Sequence, residues 1–201
     1  SGSGGGAATT VCGCRVSDCP QGALAADAQR FATGAQLALV NGGALRLGEL
    51  PAGAVSMAEL VSLLPFLNEV VVVEASGYQI RAALSHAISR LASSDAATSP
   101  SGAFMQLAST LRFEWFFEEG VPTLGTLEVR AAPTAEDGTA AAATLGASGE
   151  GYGAWRPLDD EASYTVALSE YIADGGDGFT QFQQLERTYP GYTQSAAVNA
   201  Y

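Results

Sequence analysis

Lysine is absent from this chain of 201 residues; all nine basic side chains are arginine, against 21 acidic ones, for a formal net charge of −12. That absence removes a lysine Schiff base, a P-loop lysine and a lysine-rich nucleic-acid arm together. A chain this acidic also repels a polyphosphate backbone at long range, so no nucleic acid polymer is expected as a partner. Small anions remain accessible to clustered arginines. Histidine is almost missing too, with His86 alone. Hydrolytic metal centres gather several His, Asp or Glu ligands into one group. With one histidine and neither a His-x-Asp nor a His-Glu-x-x-His pattern, no metal site is expected within this chain. Long apolar runs are lacking as well. The longest, around Val70–Val73, is far short of the roughly 18 residues of a membrane span, so no direct membrane insertion is expected. Charged residues make up 15% and hydrophobic ones 47%, which supplies a sizeable core and excludes a disordered chain. The length fits one domain.

Residues 1–11 are rich in glycine, serine, alanine and threonine. They are expected to form a flexible linker or to be a cloning remnant, ahead of a single domain over 12–201. They contain no apolar stretch of the kind a secretory signal carries, and the chain reads as the later part of a longer protein.

Three cysteines, Cys12, Cys14 and Cys19, lie close together. A zinc ribbon needs a second pair downstream, and there is none. Cys14 and Cys19 enclose Arg-Val-Ser-Asp, a loop short enough to close as a local disulfide worth about 2 kcal/mol, which would also fix Arg15. Three reduced thiols in a cytosolic protein is the competing reading. The lack of lysine, the low charge and the spacing favour an oxidising compartment, in which Cys12 is free or joined to something outside this sequence.

Pro20 suits the first turn of a helix, with Asp18 ahead of it as a candidate cap and Leu24, Ala28 and Phe31 on one face. Leu37–Val40 reads as a buried strand running into Asn41-Gly42-Gly43. Ser56-x-x-Glu59 is a capping-box pattern before a short helix that stops at Pro65. The β-branched run Val70–Val73 reads as a central strand. Ser76-Gly77-Tyr78-Gln79 repeats the capping pattern and opens a helix with Ile80, Leu84, Ala87, Ile88 and Leu91 inward. Residues 92–101 and 131–153 read as loops, the second long and low in complexity. Strands are expected around Leu111–Phe117, Leu124–Arg130 and Tyr164–Leu168. Helices and strands that do not strictly alternate give an α+β fold with a mixed sheet.

Taken singly, the chemistry-bearing motifs are weak. Asn41-Gly42-Gly43-Ala44-Leu45-Arg46 offers a close-approaching backbone, an amide and a guanidinium, yet Asn-Gly-Gly is also an ordinary turn. Asp174-Gly175-Gly176-Asp177-Gly178-Phe179 carries a carboxylate suited to a vicinal diol, or to capping a helix at Thr180. Phe66 could be plain core, and Arg15 and Arg46 could be surface ion pairs. His86, among Leu84, Ala87 and Ile88, reads as structural.

In order, the segments are specific. Cys14-Arg15-x-x-x-Cys19, Asn41-Gly-Gly-x-x-Arg46, Leu64-Pro65-Phe66-x-Asn68, the Gly77 helix, Gly102-x-Phe104-x-Gln106 and Tyr171-x-x-Asp174-Gly-Gly-Asp177-Gly-Phe179 together resemble the C-terminal domain of the 5′-nucleotidases, a family that includes the UDP-sugar hydrolases. The resemblance runs over residues 14 to 183. It implies that Phe66 and Tyr171 sandwich a nucleobase, with Tyr171 where the family often has Phe. It implies further that Asp177 holds the ribose hydroxyls, that Asn41 lies near base or ribose, and that Arg15 and Arg46 reach the phosphate. Asn68 and Gly102 would line the base pocket. Leu67 stands where glycine is common, and is expected to crowd it.

The resemblance also implies a nucleotide or nucleoside ligand, and a separate N-terminal metallophosphatase domain that carries two divalent metals. This chain would hold no cofactor of its own and no catalytic residue. It would act as the substrate-specificity domain of a nucleotide phosphohydrolase located outside the cell, at its surface or in the periplasm, inactive by itself. A non-catalytic nucleotide-binding or interaction module of the same fold is the alternative. Pairing of two copies into a homodimer is compatible with either.

Overall fold

The computed structural model describes residues 13–46, 50, 53, 55–92, 100–132 and 152–201. The stretch 1–11 expected as a linker, Cys12 and most of the two expected loops lie outside the described residues.

The strands in chain order are β1 (Leu37–Asn41), β2 (Val70–Ser76), β3 (Met105–Leu107), β4 (Leu111–Glu118), β5 (Val121–Val129), β6 (Arg156–Pro157), β7 (Ser163–Ser169) and β8 (Arg187–Thr188). The helices are α1 (Pro20–Thr33), α2 (Met57–Leu63), α3 (Gly77–Ser89), α4 (Glu170–Ala173) and α5 (Gln194–Ala200). Five strands form a mixed sheet in the order β3-β1-β7-β2-β8, and three form a second sheet, β4-β5-β6. The fold is the expected α+β arrangement with a mixed sheet.

The larger sheet is covered on both faces, which explains why all of β1 is buried. Leu37 and Leu39 of β1, with Val71 and Val73 of β2 and Val166 and Leu168 of β7, pack under Ile80, Leu84 and Ala87 of α3. The alternate residues Ala38, Val40, Val70 and Ala167 face Ala25, Ala26 and Ala28 of α1 and Leu60 and Leu63 of α2. A period of two in each strand thus serves two cores at once.

Local signals start most helices. Both capping boxes form: Ser56 with Glu59 before α2, and Ser76 with Gln79 before α3. Helix α1 starts at Pro20 but is capped by Cys19, whose sulfur accepts from the Gly22 N–H, and not by Asp18. Its buried face is only partly the expected one, with Ala28 inward as read. Ala25, Ala26 and Ala28 lie against the sheet, and Leu24 and Phe31 sit half-buried at the margins. Small side chains let the helix approach closely, a pattern that a search for large apolar residues passes over.

Strand β2 is interior, as the valine run indicates, but the centre of the sheet is β7. β7 runs parallel to β1 and antiparallel to β2, pairing from Val70↔Ser169 to Ser76↔Ser163. Continuous burial reports an interior strand, not its direction. Cys14 and Cys19 are joined by a disulfide with a Cα–Cα distance of 5.2 Å, the local bridge expected from their spacing.

Candidate functional site

Strand directions decide where the site lies. Because β1 and β7 are parallel and β2 is antiparallel to β7, one edge of the sheet collects the C-terminal ends of β1 and β7 and the N-terminal end of β2. Asn41 ends β1, Tyr171 follows β7 on α4, and Phe66 and Asn68 lead into β2. The disulfide loop adds Arg15 to the same edge. All eight candidate residues, Arg15, Asn41, Arg46, Phe66, Asn68, Gly102, Tyr171 and Asp177, line one cleft of about 290 Å³, together with Gly43 and Ala44.

The glycines of Asn41-Gly42-Gly43 are set by close packing. Gly42 N–H donates to the Phe104 carbonyl at 2.7 Å and Gly43 N–H to the Gly102 carbonyl at 2.9 Å. A Cβ on Gly43 would lie 2.9 Å from the Gly102 Cα, and one on Gly42 would strike the Cys14 carbonyl. The disulfide loop therefore rests directly on the turn, which is how Arg15 comes to stand beside Asn41.

Gln106 holds that loop from below. Its amide oxygen accepts from the Cys19 N–H at 2.9 Å, and its amide nitrogen donates to the carbonyls of Cys14 and Ser17, both at 2.8 Å. Gln106 is 1% exposed. The sequence offers Gln106 only as part of the Gly102-x-Phe104-x-Gln106 motif, with no role attached, because its partners are all backbone groups.

Asp177 is the most constrained residue of the cleft. Its backbone is left-handed, with φ 53°, in a non-glycine residue. Its carboxylate accepts from the Asn41 amide at 2.9 Å on one oxygen and from the Tyr171 hydroxyl at 3.0 Å on the other. The Tyr171 oxygen in turn accepts from the Asp177 N–H at 3.1 Å. The Asp177 carbonyl lies 2.9 Å from His86 Nε2, so that nitrogen carries the proton. His86 also stands edge-on to Phe179, with ring centroids 4.9 Å apart. Through these two contacts His86 supports the Asp177 loop. Asp177 does not cap the turn at Thr180, where Phe179 precedes the first residue with no side-chain cap.

Phe66 and Tyr171 keep 40% and 43% of their surface exposed, so Phe66 is not core. Among the described residues neither ring packs against another aromatic ring. The Arg46 guanidinium lies 5.0 Å from the centre of the Phe66 ring. Arg15 donates to the Pro100 carbonyl at 3.1 Å. Neither arginine forms an ion pair among the described residues, so both retain donors for an anion. Burial, and then the bond to the Asp177 carboxylate, push the Tyr171 phenol above its usual value. Leu67 does not crowd the cleft as expected; it is 84% exposed and outside the lining.

No group of three or more His, Cys, Asp or Glu that could hold a metal ion occurs among the described residues. No helix among them is long and apolar enough to cross a membrane.

Comparison with known proteins gives the family. Residues 3–184 match the family described as 5′-nucleotidase, C-terminal domain. The chain is 27% identical over 189 residues to Protein 5NUC of Lutzomyia longipalpis, an alignment covering 86% of the chain and 29% of the relative. It is 27% identical over 154 residues to the trifunctional nucleotide phosphoesterase protein YfkN of Bacillus subtilis (strain 168), covering 76% of the chain and 9% of the relative. The crystal structure of the 5′-nucleotidase precursor from Thermus thermophilus superposes with a TM-score of 0.73 at 29% identity, over 95% of this chain and 33% of that one. The chain therefore spans a third or less of the length of these relatives. It belongs to the 5′-nucleotidase C-terminal domain family.

Proposed function

We propose that this chain is the substrate-binding domain of a nucleotide phosphohydrolase, with Phe66 and Tyr171 taking a nucleobase between them. Each stacked face contributes about 1–3 kcal/mol with little choice among bases. Asp177 accepts the ribose hydroxyls, Asn41, Asn68 and Gly102 border base and sugar, and Arg15 and Arg46 meet the phosphate with guanidinium forks.

One observation carries this reading: two partly exposed rings, an oriented carboxylate and two arginines without an ion pair among the described residues border a single cleft. The chemistry such a cleft performs is positioning. It holds the phosphorus end of a substrate for attack by a nucleophile generated elsewhere, and orientation alone removes a large part of the barrier of a bimolecular step. The partner in the reading is an N-terminal metallophosphatase domain in the same parent protein. The disulfide fits a compartment outside the cytosol.

Calorimetric titration of the chain with AMP, adenosine and UMP tests the reading. The unmodified chain should bind all three, AMP and UMP more tightly than adenosine because of the arginines, while Phe66→Ala and Asp177→Ala should each bind more weakly. Equal heats from all three proteins would refute it. The chain alone should not hydrolyse AMP with Zn²⁺ or Mn²⁺ added.

A further inference from the structure

We propose that the Tyr171 hydroxyl is a latch that joins base stacking and sugar recognition into one cooperative step. This rests on the nucleotide reading above and assigns a role to an atom which that reading leaves idle: stacking needs only the ring.

The hydroxyl makes two bonds to one residue. It donates to the Asp177 carboxylate at 3.0 Å and accepts from the Asp177 N–H at 3.1 Å. Asp177 stands at φ 53°, between Gly175 at φ 89° and Gly178 at φ 91°. A non-glycine residue in that region persists only where its surroundings hold it there. The flanking glycines supply no such restraint. The ties on Asp177 are the Tyr171 hydroxyl, the Asn41 amide on the other carboxylate oxygen and His86 at the carbonyl. Of these only the hydroxyl belongs to a residue that also offers a ring face to the cleft.

The ring is coupled to the loop a second time, since a Cβ on Gly176 would run into it. One face of Tyr171 therefore rests on the segment carrying Asp177, and ring and carboxylate move together. A carboxylate has about four acceptor positions. Asn41 and Tyr171 use one on each oxygen, leaving one on each for the two O–H groups of a vicinal diol. The carboxylate is thus oriented before a sugar arrives, and the same bond sets the ring.

Tyr171→Phe keeps the ring and cuts both bonds. Chemical-shift titration with adenosine and with 2′,3′-dideoxyadenosine, which has no diol, separates the two roles. The variant should bind adenosine about tenfold more weakly, the usual scale for loss of a charge-assisted hydrogen bond. It should bind the dideoxynucleoside within about threefold of the unmodified chain, because stacking persists. In an Asp177→Ala background Tyr171→Phe should cost adenosine binding almost nothing, the signature of coupled residues. Without ligand, exchange of the Asp177 amide should quicken in the variant.

Equal losses for both nucleosides, additive effects in the double variant, or unchanged amide exchange would each overturn the latch. A chain whose unmodified form binds both nucleosides, with a preference that Tyr171→Phe leaves intact, refutes the latch and spares the nucleotide reading. A chain that binds neither refutes both.

Discussion

Replacing Gln106 by Met should show how the disulfide loop is held and what depends on it. Methionine is close in volume, so no large cavity opens, but all three hydrogen bonds to the loop vanish. The Cys19 N–H and Cys14 carbonyl that Gln106 serves lie in buried bonds, whereas the Ser17 carbonyl lies in a part-buried one that water can replace. Leaving two buried backbone groups unpaired at about 1–3 kcal/mol each gives a loss of about 4 kcal/mol. A domain of ordinary stability survives that loss while still folded. Urea denaturation of the oxidised protein should show the midpoint falling with an unchanged slope. A functional effect should accompany it: Arg15 rides on this loop, so affinity for AMP should fall while affinity for adenosine, which has no phosphate, changes less. A loss below about 1 kcal/mol, or equal weakening of both ligands, would show that the loop does not depend on Gln106 as argued.

Opening the Cys14–Cys19 disulfide by paired serine substitution should cost about 2 kcal/mol in urea denaturation, since the bridge closes a short loop; a loss near zero would mean that Gln106 alone holds it. Gly43→Ala should destabilise by about 1–3 kcal/mol and abolish nucleoside binding, because the new Cβ meets the Gly102 backbone and not a flexible side chain. Burial, assisted by Asp27 and Tyr152 and opposed by Arg30, pushes the Tyr201 phenol up to about 12. A raised folded-state pKa means that the neutral phenol is favoured in the fold, so its contribution is complete below about pH 10, the unfolded value. It is lost as pH rises from there through 12. The loss should be on the order of 1 kcal/mol after solvent screening, and Tyr201→Phe should flatten the alkaline limb of a stability–pH curve.

What could be read from the sequence was local, or was carried by the order of motifs. The Ser56/Glu59 and Ser76/Gln79 boxes are contiguous in sequence and formed as read. Strands β1, β4 and β7 follow from apolar runs. Edge strands β3 and β8, of three and two residues, carry no usable period. Helix α5 opens on Thr193, which caps through the Ala196 N–H, but a seven-residue helix is too short to show a face.

The residues of the cleft were legible because motif order singled them out, and strand direction then brought them to one edge. The supports were not legible. Gln106 acts on groups 87 to 92 positions away and His86 on one 91 positions away, in each case on backbone atoms. Backbone partners have no residue type, so no sequence pattern records them. The cap at Cys19 was missed for a related reason: a sulfur already committed to a disulfide still accepts the Gly22 N–H.

A crystal structure of the chain with AMP tests the central claim most directly. The account requires the adenine between Phe66 and Tyr171, the ribose diol on the Asp177 carboxylate and the phosphate against Arg15 and Arg46. Adenine bound away from both rings, or a cleft that stays empty at saturating AMP, would contradict it.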